Sequence, residues 1–138
     1  MKSTIIMFLA VLVAVSAGVV GTAHAETDGT EIATVPFDFY AGGQKMPAGH
    51  YTIGLDLKSK MITLRDDSGH NMFLIGTPDG DSNNKSELVF EHSGDVYALK
   101  ELKSDVIDFG LTFPTRVSKQ ETASRISPSR VEVALNRP

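Results

Sequence analysis

Four oxygen-bearing side chains stand at spacings that could bind a calcium ion. Asp79, Asp81 and Asn83 occupy alternate positions, and Glu87 is the ninth residue counted from Asp79. A calcium loop wraps its hard cation with oxygen ligands at alternate positions in this way. These four residues therefore raise the hypothesis of a calcium site, which the rest of the stretch can test.

Two positions in this stretch depart from a calcium loop. The sixth residue is Asn84 where the sharp turn requires glycine, and the twelfth is Phe90 where a bidentate glutamate closes the site. A solvated loop rich in turn-forming residues explains the same composition. We therefore predict no metal site, and the four residues named above are the nearest approach to one.

Three histidines, His50, His70 and His92, lie at or near the ends of strand-like segments. A histidine metal site needs these side chains to converge, with further groups that orient each ring. Their separation along the chain favours surface or edge positions instead. We predict that they are not metal ligands.

Sequence patterns typical of catalysis are missing from the chain. It has no cysteine, no G-x-S-x-G, no H-E-x-x-H and no phosphate-binding glycine loop. The carboxylate pair Asp66-Asp67 lies in a short turn, where solvent keeps both groups ionised and unsuited to general acid work. We therefore predict that the protein is not an enzyme and needs no cofactor.

The first 25 residues have the features of a cleaved export signal. Lys2 precedes an apolar run from Ile5 to Val20, and Ala23-x-Ala25 is a signal-peptidase site. The run is shorter than the ~20 residues of a membrane-spanning helix, although an uncleaved anchor is the alternative. The absence of cysteine excludes a lipid-anchored lipoprotein. We predict a periplasmic or extracellular protein of a bacterium, with no membrane span after cleavage.

Cleavage leaves 113 of the 138 residues, enough for one domain with a core of its own. The formal net charge of −4, more negative by one without Lys2, argues against nucleic acid as a partner. We divide the mature chain into a polar segment (26–34), an antiparallel β domain (35–113) and a Ser/Thr-rich tail (114–138).

The β domain is organised around Val35 to Leu57, which is predicted to form two strands joined by a reversal at Gly42-Gly43 and Met46 to Gly49. Alternating apolar residues bounded by turn signals predict the strands. The predicted strands are Glu31–Tyr40, His50–Leu57, Lys60–Arg65, His70–Gly76, Ser86–His92, Asp95–Leu102, Val106–Phe113 and Arg130–Leu135.

Within these strands, Met72 to Ile75 is apolar at every position, which predicts a strand buried on both faces. In the tail, Ser118 to Glu121 matches a capping box and predicts a short helix over Lys119 to Arg125, with a flexible linker as the alternative. Short strands at roughly ten-residue spacing predict an all-β antiparallel meander of about seven or eight strands, closed into a small sandwich or barrel.

Four segments of the chain carry short motifs: VPFDF at Val35–Phe39, MPAGxY at Met46–Tyr51, LVF at Leu88–Phe90 and GDxY at Gly94–Tyr97. Together they resemble a family of short exported all-β proteins of unknown function from acidobacteria-like soil bacteria. The resemblance covers roughly Val35 to Leu102. It implies export and an all-β fold, and it implies no activity.

Two functions of different classes fit these sequence features. The first is a non-catalytic exported domain that binds a protein or a cell-surface polymer, with sheet edges available for strand addition. The alternative is a small-molecule carrier with a lipocalin-like apolar cavity. The side chains that could line such a cavity are Phe37, Phe39, Phe73, Phe90, Phe109 and Phe113.

The export hypothesis predicts that the mature protein begins at Glu26, because Ala23-x-Ala25 directly follows the apolar run. Intact-mass measurement of protein recovered outside the cytoplasm checks this expectation. A full-length mass recovered with the membrane fraction would contradict it and would favour the uncleaved anchor.

Overall fold

The protein is all-β over the part of the chain that the computed structural model describes, residues 29–80, 84–106, 110–114 and 127–138. Two sheets pack through their inner faces into a sandwich-like fold, so the predicted fold class is confirmed. Eleven strands lie in these ranges, more than the seven or eight predicted. They are β1 (Gly29–Val35), β2 (Phe39–Ala41), β3 (Gln44–Met46), β4 (Gly49–Asp56), β5 (Met61–Asp66), β6 (Asn71–Ile75), β7 (Thr77–Asp79), β8 (Glu87–Ser93), β9 (Val96–Lys103), β10 (Gly110–Thr112) and β11 (Ser129–Ala134).

Sheet A contains four antiparallel strands in the order β1-β4-β5-β6. Side chains in a strand point to opposite faces in turn, so one face can be apolar and the other polar. In β4 this places Tyr51, Ile53 and Leu55 on the buried face. The β5–β6 hairpin reverses with Gly69 at φ 88°, the left-handed conformation expected of its loop glycine.

Sheet B has the order β11-β8-β9-β10-β7. Its central hairpin, β8–β9, reverses at Gly94 with φ 61°, and its strands coincide closely with the predicted strands Ser86–His92 and Asp95–Leu102. The β2–β3 hairpin joins β9 beside β10 through a parallel bridge between Tyr40 and Ala98. Most of the strands that the sequence did not predict are three residues long (β2, β3 and β7), too short to show a period of two.

The predicted strand Glu31–Tyr40 is wrong as a single strand, because the chain changes sheets within it. β1 ends at Val35 in sheet A, and β2 begins at Phe39 in sheet B. Pro36, which has no N–H to donate, lies in the connection and not at an edge or bulge of a continuous strand. Asp38 secures the connection by accepting a hydrogen bond at Oδ1 from the Ala48 backbone N–H at 3.0 Å.

The regular structure begins at Gly29, inside the segment 26–34 that the sequence indicated to be polar and outside the domain. Glu31 lies on the inner face of β1 with 1% of its surface exposed. Its Oε2 has no hydrogen-bond partner among the described residues. Glu31 thus occupies one of the positions at which the alternation of β1 buries a side chain.

The C-terminal strand β11 pairs with β8 close to the predicted position Arg130–Leu135. Beyond it, Asn136 forms a bridge to Ile32 of β1, with backbone hydrogen bonds of 2.7 and 2.9 Å. The chain end therefore links sheet B to the outer edge of sheet A. The predicted helix over Lys119 to Arg125 lies outside the described residues.

A chain of aromatic contacts joins the two sheets. Phe39 of β2 packs edge-to-face on Tyr51 of β4 at 5.4 Å and on Phe90 of β8 at 5.2 Å between ring centroids. Phe37 is half-buried and stacks on Tyr97 at 3.8 Å. Phe39 is therefore a core residue, whereas Phe37 lies at the rim of the core.

Sheet A passes into sheet B at Gly76, between β6 and β7. A Cβ atom added to Gly76 would lie 2.8 Å from Cβ of Leu111 and 3.0 Å from Cε1 of Phe113. Carbon atoms in contact prefer separations of about 3.5–4.0 Å, so this position admits no side chain without displacing β10.

In the ranges that the structure describes, no helix is long and apolar enough to cross a membrane.

Gly76→Ala is expected to lower the free energy of unfolding by about 1–3 kcal/mol, because the new methyl group overpacks the contact with Leu111. Gly49→Ala is the matched control, since a Cβ atom there meets nothing within 4 Å, and its effect is expected within about 0.5 kcal/mol. Urea unfolding of both variants is the measurement. Equal midpoints for the two variants would show that Gly76 is not a packing constraint.

Candidate interaction surface

The residues of the calcium hypothesis do not converge in the described part of the chain. Asp79 lies in β7, and its Oδ2 accepts a hydrogen bond from Oγ1 of Thr112 at 3.2 Å. Two of the four, Asp81 and Asn83, lie outside the described residues. The stretch predicted to be one long polar loop begins with strand β7, so Asp79 belongs to a sheet.

Glu87 lies in β8 and is nearly buried, with 7% of its surface exposed. Its Oε1 lies 3.7 Å from Nζ of Lys103 and 3.8 Å from a guanidinium nitrogen of Arg130. These two cations satisfy the carboxylate and would repel an approaching calcium ion. The geometry therefore makes Glu87 a member of an ion-pair cluster on the outer face of sheet B.

The histidines lie in separate places. His50 is exposed on β4 and His70 is exposed in the β5–β6 loop, as predicted, whereas His92 is half-buried and stacks on Tyr97 at 4.2 Å. Across the described ranges, no group of three or more histidine and carboxylate side chains is placed to hold a metal ion.

The carboxylate of Asp66 is held in its ionised form. The Ser68 hydroxyl donates to Oδ1 at 2.6 Å and the His70 backbone N–H donates to the same atom at 2.9 Å. The hydrogen bond from Ser68 is the main cause that lowers the pKa of Asp66 below its usual range. A general acid needs the opposite shift, so this carboxylate is unsuited to that work.

A shallow groove of about 290 Å³ lies on the outer face of sheet B, and charges of both signs line it. Lys100 lies 3.5 Å from Glu91, and Arg130 lies 3.6 Å from Glu101. Ion pairs this exposed contribute little to stability, about 0–1 kcal/mol each. The outer face of sheet B is therefore polar, with each of these basic side chains next to a carboxylate.

The outer face of sheet A differs, because apolar side chains stand exposed along its last strand, β6. Phe73 has 59% of its surface exposed and Ile75 has 71%. The prediction that Met72 to Ile75 is buried on both faces is wrong, since β6 covers the core with one face and meets solvent with the other. An unbroken apolar run fits a doubly buried strand and an apolar edge strand equally well, and the sequence carried no further signal.

The backbone of β6 also has one free side. The Gly76 N–H donates to the Lys60 carbonyl at 2.9 Å, which sets the phase of the β5–β6 ladder. Because hydrogen-bonded and non-bonded pairs alternate along an antiparallel ladder, every second residue of β6 directs its N–H and C=O away from β5. These residues are Asn71, Phe73 and Ile75. Within the described ranges, β6 pairs with β5 alone.

The position of Phe73 also removes it from the cavity that the carrier hypothesis required. Of the phenylalanines proposed to line such a cavity, Phe39, Phe90 and Phe113 are packed in the core, and Phe109 lies outside the described residues. The β6 edge, defined by the exposed side chains and free backbone groups of Asn71, Phe73 and Ile75, is thus the candidate interaction surface.

Comparisons with protein-family models, with curated protein sequences and with solved structures find no match.

Millimolar calcium or a chelator is expected to leave the melting temperature unchanged, because Lys103 and Arg130 already neutralise Glu87. Glu87→Gln, by contrast, is expected to cost about 1–3 kcal/mol, since Lys103 loses a charged partner in a largely buried position. Thermal melts of both proteins with and without calcium are the measurement. A saturable rise of several degrees in the wild-type protein would contradict this assignment.

Proposed function

We propose that this protein is a non-catalytic, exported bacterial binding domain that accepts an extended segment of a partner protein at the β6 edge. The observation that carries the proposal is the coincidence of free backbone groups and exposed apolar side chains on one strand. Phe73 and Ile75 provide both. The export signal read from residues 1–25 and the resemblance to exported all-β proteins support the location.

Strand addition uses both features of such an edge. Main-chain hydrogen bonds supply affinity, and the side chains on each face of the added strand supply specificity. A strand placed beside β6 would satisfy the three outward-facing N–H and C=O pairs and would cover Phe73 and Ile75 on the outer face. Asp66 is held ionised, and Glu87 is paired with Lys103, so both carboxylates support a role without catalysis.

An apolar edge is a better protein-binding surface than the groove on sheet B. The charges in the groove already pair with one another, so a ligand would have to replace ion pairs that exist. At the β6 edge a partner removes apolar surface from water, which is favourable by about 1.5–3 kcal/mol for each large side chain fully buried.

The experiment is selection of extended peptides from a display library on the exported protein, followed by affinity measurement on variants. Replacing Phe73 and Ile75 together by threonine keeps strand propensity but removes the apolar surface, and should weaken the selected peptides at least about tenfold. Ile32→Thr is the control, because Ile32 is an exposed apolar residue at the opposite edge of the same sheet. Peptides that bind all these proteins equally would place the binding surface elsewhere.

A further inference from the structure

We propose that the segment which fits the β6 edge is β6 of a second copy of the chain, paired antiparallel about a two-fold axis through Phe73. This inference rests on the proposed function, because it names the partner at the same edge. The two copies would join their sheets A into one continuous sheet of eight strands.

The free backbone groups of β6 have the phase that this pairing needs. In a two-fold pair centred on Phe73, that residue lies opposite its own copy, and Asn71 lies opposite Ile75 of the second copy. These are the residues whose N–H and C=O point away from β5. Since each such pair of residues exchanges two hydrogen bonds, the three pairs would form six.

The side chains match on both faces of the joined sheet. On the outer face, Phe73 meets Phe73 of the second copy with Ile75 beside it, which covers the apolar surface exposed in the single chain. On the inner face, Met72 lies opposite Leu74 of the second copy. Asn71, which lies opposite Ile75 of the second copy, is the polar exception. β6 contains no charged residue, so the pairing brings no like charges together.

The charges that flank β6 favour the antiparallel direction. The end of the hairpin before β5 carries Lys58 and Lys60 against Asp56, so its net charge is positive. The end after β5 carries Asp66 and Asp67 against Arg65, so its net charge is negative. An antiparallel pair brings the basic end of one hairpin to the acidic end of the other, whereas a parallel pair would bring like charges together. The lowered pKa of Asp66 keeps the acidic end charged.

The other sheet edges carry features that oppose pairing with a second chain, and β6 does not. β1 is covered in part by Asn136, and β7 contains Pro78. β3 carries Lys45, and β11 presents Arg130 and Glu132. Charges, proline and covering segments are the usual means of keeping edges from associating. Among the strands that the structure describes, the free edge of β6 is therefore the one at which two copies fit without removing such a feature.

A junction of five-residue strands is small. Such strands are about 17 Å long, and their pairing buries far less than the roughly 800 Å² per partner of a stable interface. We therefore expect a dimer that forms reversibly as the protein concentration rises.

Cysteine trapping tests the register, because the chain contains no cysteine of its own. In the proposed pair, the two Cα atoms of residue 73 lie about 5.5 Å apart, within the range of a disulfide. Phe73→Cys should therefore form a covalent dimer on mild oxidation. Asn71→Cys and Ile75→Cys should each stay monomeric alone, with like residues about 14 Å apart, but should cross-link when mixed.

Sedimentation velocity of the exported protein, from low micromolar to millimolar concentration, is the second measurement. The wild-type protein and Ile32→Thr should shift toward dimer, and the variant with threonine at positions 73 and 75 should remain monomeric. Equal cross-linking at all three cysteine positions, or a wild-type monomer at every concentration, would overturn the dimer. If display peptides still bound such a monomer at β6, the proposed function would stand while this inference failed.

Discussion

The two sheets are held together by the edge-to-face packing of Tyr51 in sheet A on Phe39 in sheet B. Aromatic pairs of this geometry add about 0.5–1.5 kcal/mol to what burial alone gives. The Tyr51 hydroxyl also donates to the Pro47 carbonyl, which ties the turn before β4 to the core. Burial raises the pKa of Tyr51 to about 12. The contribution of the buried, protonated Tyr51 side chain to stability is therefore complete below the unfolded pKa of about 10 and is lost as the pH rises through 12.

The order of strands in sheet A leaves β6 at an edge. β4, which carries Tyr51, takes β1 on one side and β5 on the other, and β6 pairs with β5, so β6 is the last strand of the sheet in the described ranges. Directly after β6 the chain leaves the sheet at Gly76, whose close contact with Leu111 leaves no room for a side chain. The free side of β6 is thus a consequence of how the core is built.

Alternation predicted most of this fold, because hairpins are local and reverse at glycines such as Gly69 and Gly94 that the turns require. Prediction failed where the pattern was interrupted, at Pro36 between the two sheets. The candidate surface was harder to predict. Whether Phe73 is exposed depends on whether another layer covers the outer face of sheet A, and an unbroken apolar run carries no signal for that.

Phe73 and Ile75 contribute little to the stability of a single folded chain, because most of each side chain remains in water. Threonine at either position would keep the strand propensity and lower the risk of unwanted association. Elsewhere the chain limits that risk, as Pro78 does in β7. Two large apolar side chains at an edge without such a feature are consistent with the proposed occupant, which would bury them. The cost of their exposure would then apply only while the edge is empty.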